Sequence, residues 1–226
     1  LESVEAGIVD AAEIWYRTTL ASPDGIPDTA LFNHDRYPNF SWKIGPKLRQ
    51  HVGRPDEFYR FQIWLALGGE VGIARGLTLN GVLGANLYND FDRIPSIPAS
   101  GLPNVRSRVV DYLQQGQNNL ASLAGHYVFQ PVQDWYGRFS AGIFEEMYMG
   151  ISGEMLYRPF ASPWAIGLEI NQVWQREFEQ RFGLLEDDLA YDVVTGHLST
   201  YYQLPVYNLL GGVHIGRYLA GDGGFT

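Results

Sequence analysis

Two adjacent carboxylates, Glu145 and Glu146, are by residue type the best candidates for catalysis in this chain. A pair of carboxylic acids can hydrolyse a glycosidic bond when one protonates the leaving oxygen and the other acts as nucleophile or base, and the nearby Tyr148 suits contact with a sugar. Adjacent residues of a strand point to opposite faces, however, so these two side chains are not expected to share a site. Glu146 and Glu169 form a wider possible pair that the sequence does not place in space. We therefore expect no catalytic residues.

Cation binding is the second chemistry that the side chains suggest. Two acidic runs, residues 89–92 and 186–188, carry the oxygen ligands that Ca²⁺ prefers, but neither has EF-hand spacing and solvated loop charge is the more ordinary interpretation. The five histidines show no metal-type spacing, and no Gly-x-Ser-x-Gly or phosphate-binding motif occurs. The chain has no cysteine, which excludes disulfides, Cys-ligated zinc and iron–sulfur clusters. We therefore expect neither a metal nor a cofactor.

The composition of the 226 residues excludes other classes of protein. A net charge of -9 without any cluster of Lys and Arg argues against binding to nucleic acid. The 14 Tyr, 12 Phe, 6 Trp and 26 Gly, beside only 18% charged residues, favour strands and turns over helices. The mean hydropathy is -0.15. This mean hydropathy, together with the lack of an apolar run of about eighteen residues, predicts that the chain has no transmembrane helix. It is compatible with a transmembrane β-barrel, because the apolar and polar residues of alternating strands average to a similar value.

Residues 164–174 show the clearest pattern, because large apolar residues occupy nearly every second position. Side chains alternate between the two faces of a strand, so the small and polar residues fall opposite the apolar ones. An aromatic residue stands at each end of the apolar row, as in a lipid-facing strand with its interfacial girdles. We predict that lipid contacts these apolar side chains and a similarly placed tryptophan upstream: Trp42, Trp164, Ile166, Leu168, Ile170 and Trp174.

The same alternation recurs along the chain and predicts about ten antiparallel strands, most of them as long as the roughly 9–11 residues that cross a bilayer. The predicted strands are 12–21, 38–51, 57–72, 76–89, 119–129, 136–146, 149–159, 164–174, 190–204 and 206–219. Apolar residues three and four apart also predict a short amphipathic helix near 105–113. Three long connections, 22–37, 90–118 and 179–189, follow the first, fourth and eighth strands. Either this strand count is wrong or long loops occur at both ends of the barrel.

The opposite face of these strands would line the lumen of the barrel. Its polar candidates carry both signs of charge: Lys43, Lys47, Arg49, Arg60, Arg138, Glu146, Glu154, Arg158, Glu169, Asn171 and His197. Ion pairs between neighbouring strands are the more ordinary interpretation of such a face, and a path that contacts sugar is the alternative.

Four short segments in the C-terminal half follow an order that points to a known family: Gly153 to Phe160, Trp164 to Asn171, Val194 to His197 and Gly216 to Asp222. Together they resemble the YjbH-like exopolysaccharide biosynthesis proteins, a GfcD-like family that includes outer-membrane barrel proteins of exopolysaccharide and group 4 capsule operons. Residues 36–42 and 102–106 extend the resemblance more loosely. It implies a location in the bacterial outer membrane, a role in polysaccharide export or surface assembly, and periplasmic and lipoprotein partners. It implies no catalytic residue.

We therefore predict an all-β, antiparallel transmembrane β-barrel that occupies residues 1–226 as a single domain. Members of the family are longer, and a closed barrel needs every edge strand paired, so we expect the chain to be a fragment of a longer outer-membrane protein. The predicted role is a non-enzymatic component of exopolysaccharide or capsule export that contacts outer-membrane lipid and polysaccharide. The alternatives are a soluble β-sandwich that binds carbohydrate and, less favoured, a glycosidase that trims polysaccharide.

Overall fold

The computed structural model describes residues 37–53, 58–95, 105–106, 108–186, 190–205 and 209–226, which contain one antiparallel sheet. Its ten strands follow one another in chain order: β1 Asn39–Val52, β2 Tyr59–Ala74, β3 Leu77–Asn89, β4 Asn119–Phe129, β5 Trp135–Ile143, β6 Tyr148–Tyr157, β7 Trp164–Gln175, β8 Asp192–Gln203, β9 Leu210–Arg217 and β10 Gly223–Phe225. A 3-10 turn, Phe91–Arg93, and one α-helix, α1, Val109–Gln115, lie in the β3–β4 connection. In this part of the chain β1 pairs only with β2 and β10 only with β9, so the sheet is not closed into a barrel.

The prediction of an all-β, antiparallel fold with a short helix is confirmed. Nine predicted strands lie within a few residues of β1 to β9, because long alternating segments mark a half-exposed strand strongly. The helix begins at Val109 rather than near residue 105. The predicted strand 12–21 lies outside the described residues. β10 was not predicted, since its three residues, Gly-Gly-Phe, are too few to show a period.

Side-chain alternation gives the sheet two chemically different faces. One of them, the convex face, carries apolar side chains that stay exposed on each of β1 to β9, for example Trp42 (63% exposed), Leu168 (50%) and Ile215 (58%). The other, the concave face, carries polar and small side chains, including the buried Gln62 and Ser152. The strand register keeps each face continuous from strand to strand. The sheet is therefore polar inside its curve and apolar outside.

An ion pair across the concave face shows how strongly the sheet bends. β1 and β5 are four strands apart, a separation of about 19 Å in a flat sheet with ~4.8 Å between neighbouring strands. Nevertheless, the Arg49 guanidinium on β1 pairs with the Glu146 carboxylate in the turn that follows β5. The sheet must therefore curl until these two regions face each other.

The connections differ between the two ends of the sheet. At one end, called the loop end, the β3–β4 and β7–β8 connections span residues 90–118 and 176–191. At the other, called the turn end, β2 and β3 are joined only by Arg75 and Gly76, and Gly76 takes the positive φ of 77° that this tight turn requires. The two long connections that the structure describes thus lie at the same end. The third predicted one, 22–37, is outside the described residues except for Tyr37.

The described parts of both long connections pack at the loop end of the sheet. We call α1 and residues 91–94 and 176–186 the loop-end plug. Two apolar clusters hold it in place. Tyr112 of α1 packs against buried residues of the sheet and its turns: Met147, Tyr148, Val173 and Val193. The 3-10 turn packs on α1 through four further side chains: Phe91, Ile94, Val110 and Leu113. No helix within the described ranges is long and apolar enough to cross a membrane.

Candidate functional site

Four charged or titratable side chains form a row across the concave face. The register places Arg138, Glu154, Glu169 and His197 opposite one another on β5, β6, β7 and β8. Arg138 Nε donates to Glu154 Oε1 at 2.9 Å, and His197 Nδ1 lies 4.0 Å from Glu169 Oε1. Carboxylates directly opposite each other repel, and the Arg138 guanidinium beside Glu154 offsets part of this repulsion. The row offers hydrogen-bond donors and acceptors side by side.

Beside this row, towards the turn end, the concave face forms a groove of about 550 Å³. Tyr136, Tyr201 and Arg158 line it together with Glu154 and Glu169. The Tyr136 side chain is 41% exposed, so its ring is open to a ligand. Aromatic rings next to carboxylate and guanidinium groups can stack on a sugar ring and hydrogen-bond to its hydroxyl groups. The groove thus has the chemistry of a carbohydrate-binding surface.

The wall formed by β1 and β2 is basic. Lys47 Nζ lies 5.6 Å from the centre of the Trp64 ring, and Arg49 Cζ lies 5.0 Å from it, so both cations stack on this indole. Arg49 also forms the ion pair with Glu146. The cation–π contacts and the ion pair hold the Lys47 and Arg49 side chains in place. Of these two side chains, only Arg49 is paired with a carboxylate of the described residues, so the β1 wall keeps an excess of positive charge.

A fully buried arginine, Arg176, ties the loop-end plug to the sheet. Its two terminal nitrogens donate at 2.6–3.1 Å to four backbone carbonyls: Glu145, Glu146, Leu120 and Arg181. Burial lowers the pKa of the Arg176 guanidinium, but an arginine keeps its proton in a protein. The Tyr112 hydroxyl donates to the Arg176 carbonyl, and burial raises the pKa of that phenol well above its usual range.

Side-chain amides form a second network in the same region. Gln180 Nε2 donates to the Tyr112 carbonyl at 2.8 Å, and Gln180 Oε1 accepts from Asn119 Nδ2 at 2.7 Å. Gln62 Nε2 donates to Asn86 Oδ1 at 3.1 Å. Sequence reasoning did not single out these residues or Arg176, because all of these bonds except the one from Arg176 to the Arg181 carbonyl join segments that are distant in the chain. Nothing in the local pattern marks a Gln or an Arg as buried.

The structure places nine of the eleven lumen candidates on the concave side of strands: Lys43, Lys47, Arg49, Arg60, Arg138, Glu154, Glu169, Asn171 and His197. Glu146 lies in the β5–β6 turn, and Arg158 directly follows β6 and lines the groove. The six residues predicted to contact lipid lie on the convex side: Trp42, Trp164, Ile166, Leu168, Ile170 and Trp174.

The prediction that Glu145 and Glu146 belong to a strand is wrong. β5 ends before them, and the Glu145 N–H donates to the Tyr148 carbonyl across a tight turn. Arg106 Nη2 binds Glu145 Oε1 at 2.8 Å, whereas Glu146 pairs with Arg49. The two carboxylates therefore point to different guanidinium groups.

The carboxylates that the register brings together are Glu154 and Glu169, a pair that sequence reasoning did not consider. Arg138 already binds Glu154, and Asn171 Nδ2 donates to Glu169. Within the described residues, no three His, Asp or Glu side chains are grouped so that they could hold a metal ion.

Comparison with known proteins gives the chain a family. A family model described as "Exopolysaccharide biosynthesis protein YbjH" matches residues 6–226. The chain is 36% identical over 194 residues to the "Uncharacterized lipoprotein YjbH" of Escherichia coli (strain K12); the match covers 83% of this chain but only 27% of that relative. No solved structure matches the chain significantly. With most of its length matched by both, the chain belongs to the YjbH family of exopolysaccharide biosynthesis proteins.

Proposed function

We propose that this chain forms part of a transmembrane β-barrel in the bacterial outer membrane and takes part in the export or surface assembly of exopolysaccharide without catalysing a reaction. The exposed apolar convex face is the observation that carries the proposal. The family description supports a link to exopolysaccharide, and the lipoprotein relative supports a place in the cell envelope.

The extent of the apolar surface favours contact with lipid. The largest exposed apolar patch on a soluble monomer usually measures a few hundred Å². Here exposed large hydrophobic side chains occur on all ten strands, from Phe40 on β1 to Phe225 on β10. Water would make such a surface aggregate, whereas the hydrocarbon core of a bilayer solvates it.

Strand length and loop placement support the same proposal. A tilted strand needs about 9–11 residues to cross a bilayer, and β1 to β8 have 9–16. Outer-membrane barrels have short turns on one side and longer loops on the other. Both of the long connections of this sheet lie at its loop end, although the β5–β6 and β9–β10 connections there are short. The open edges of β1 and β10 would require further strands, because unpaired backbone groups are costly in hydrocarbon.

A soluble β-sandwich remains the main alternative. Such a fold needs a second sheet packed against the apolar face at a distance of about 10 Å. Within the described residues one sheet holds all ten strands, and its convex face stays exposed. The sandwich would therefore need a covering layer from outside the described residues.

The proposed role of the concave face is to contact polymer. Tyr136 and Tyr201 can stack on sugar rings, while Arg158 and the carboxylates hydrogen-bond to hydroxyl groups. The Glu154 carboxylate is engaged by Arg138, which favours binding over acid catalysis. Periplasmic and lipoprotein partners would deliver and receive the polymer.

The depth of two tryptophans in lipid tests the barrel. Two single-tryptophan variants, with only Trp164 or only Trp64 and phenylalanine at the other tryptophan positions, would be reconstituted in vesicles of brominated phosphatidylcholine. Bromine quenches the fluorescence of an indole that contacts acyl chains. We expect strong quenching of Trp164 on the convex face and little of Trp64, which is 7% exposed and covered by Lys47 and Arg49. Equal protection of both in a protein that stays folded and monomeric without lipid would contradict the proposal.

A further inference from the structure

An apolar groove of about 910 Å³ crosses the convex face of β1 to β4. Glycines 69 and 81, paired on β2 and β3, form part of its floor. Large side chains form its walls: Phe40, Trp42, Leu67, Leu79, Leu83 and Leu123. From the Leu79 row to the Leu83 row, four residues along β3, the groove extends about 13 Å parallel to the strands. That length is close to half of the ~30 Å hydrocarbon core, which is the depth of one leaflet.

A cationic side chain, Arg181, lies at the loop-end mouth of this groove. The Leu120 N–H donates to the Gln180 carbonyl at 3.1 Å, so the 176–186 connection lies alongside the start of β4. Gln180 is buried among plug residues, while the next residue, Arg181, is exposed and lines the groove. The Arg181 backbone carbonyl is fixed by Arg176 at 2.6 Å. In the part of the chain that the structure describes, its guanidinium has no hydrogen-bond or ion-pair partner.

We propose that this groove binds one anionic phospholipid, with an acyl chain along the glycine floor and the phosphate at Arg181. The site rests on the proposed function, since it needs the convex face to be in a membrane. A guanidinium recognises phosphate through two parallel hydrogen bonds. Among the described residues, no carboxylate lines the groove to oppose an anion. Asn118 Oδ1 accepts from the Asn86 N–H, which leaves the Asn118 amide nitrogen as a second donor at the mouth.

The depth of the cation agrees with this ligand. Arg181 lies beside the start of β4, at the loop-end mouth of the groove, and its long side chain could reach headgroup level. Trp42 lies further along the groove, opposite Gly69, where the acyl chain would lie. Anionic lipid gains roughly 1 kcal/mol for each Lys or Arg near the membrane surface, which corresponds to about a fivefold preference over zwitterionic lipid. This preference is the quantity to measure.

Trp42 and Trp164 form a matched pair of reporters on the same face. Two single-tryptophan variants would be reconstituted in mixed vesicles that contain either brominated phosphatidylglycerol or brominated phosphatidylcholine at the same mole fraction. At Trp42 we expect the relative binding constant from quenching to be about fivefold higher for phosphatidylglycerol. At Trp164, on β7 and away from the groove, we expect equal quenching by both lipids. Arg181→Gln should remove the preference at Trp42.

Filling the groove gives an independent test. Among the described residues, a Cβ at Gly69 would meet only the Phe40 ring, at 3.8 Å. Gly69→Leu should therefore fold normally, occupy the groove and abolish the preference at Trp42. Gly125→Leu is the matched control. That position, on the convex side of β4, does not line the groove, and a Cβ there would have no atom of the described residues within 4 Å. Retained preference in Gly69→Leu would overturn the groove as the acyl site.

The possible results distinguish a failure of the lipid-site proposal from a failure of the barrel proposal. Equal quenching of Trp42 by both lipids would overturn the anionic site and leave the barrel intact. Protection of both tryptophans from both lipids would overturn the proposed function instead. A preference at Trp42 that survives Arg181→Gln would show that a general surface charge, and not this guanidinium, selects the lipid.

Discussion

Replacing Arg176 with Met should destabilise the protein by about 3–5 kcal/mol, the usual effect of removing one partner from a buried charged network. The side chain is fully buried and donates to four backbone carbonyls. Methionine fills a similar volume but donates nothing. Each buried carbonyl left without a donor costs about 1–3 kcal/mol of stability. The expected loss is smaller than four times that value because water would hydrogen-bond to some of these carbonyls.

Urea-induced unfolding in phosphatidylcholine vesicles, followed by tryptophan fluorescence, would give this free energy. Arg181→Met is the matched control, since the same substitution there changes an exposed side chain that has no partner among the described residues. We expect the control to change the free energy of unfolding by less than about 0.5 kcal/mol. Arg176→Lys should fall between the two, because one ammonium cannot reach all four carbonyls. If Arg176→Met unfolds at the same urea concentration as Arg181→Met, the plug does not depend on this guanidinium and the reasoning fails.

The stability of the protein should depend on pH through the Tyr112 phenol, because burial raises the pKa of this group in the folded state. Above about pH 10 the unfolded chain releases a proton that the folded state keeps, so the free energy of unfolding falls as the pH rises. Tyr112→Phe should flatten this decline in alkaline unfolding titrations. A double-mutant cycle of Arg49→Gln and Glu146→Gln, measured by urea unfolding, should give a coupling energy of about 1–2 kcal/mol for this partly buried pair. Tyr136→Ala and Tyr201→Ala should each weaken binding of bacterial exopolysaccharide oligosaccharides by about 2- to 12-fold in calorimetric titrations.

Each of these three predictions has an outcome that contradicts it. An unchanged alkaline slope in Tyr112→Phe would mean that the phenol is solvated. A coupling energy near zero would mean that β1 and the β5–β6 turn do not meet across the concave face. For sugar binding, Tyr202→Ala on the convex face is the control, and equal affinity of all variants would remove the sugar contact from the concave groove.

The strands could be predicted because the alternation of apolar and polar side chains is a local signal. β7 was predicted as residues 164–174 and ends one residue later, since the alternation holds along most of the strand and only Gln172 interrupts its apolar row. The signal failed where the alternation itself failed. Glu145 beside Glu146 breaks the period, and the structure has a turn there. The adjacent charges were in fact the mark of a hairpin tip.

For the candidate site, the sequence predicts which face of the sheet each side chain lies on, but not which side chains are neighbours. Period two places Arg138, Glu154 and Glu169 on one side of their strands, but register decides which of them are neighbours, and register depends on turn lengths that the pattern does not specify. Arg176 and Gln180 were out of reach for another reason. They bind backbone carbonyls and amides of distant segments, so only the folded chain brings their partners together.

The two ends of the concave face differ in a way that bears on how a polymer would use it. The loop end is filled by the plug, in which Gln175 and Arg176 are buried. The turn end carries the groove lined by Tyr136 and Tyr201. A sugar chain can reach these rings from the turn end, but it could pass the loop end only if the plug moved, against the four hydrogen bonds of Arg176 and the amide network. If the concave face contacts polymer as proposed, the described residues favour a groove that is open from one side over an open conduit.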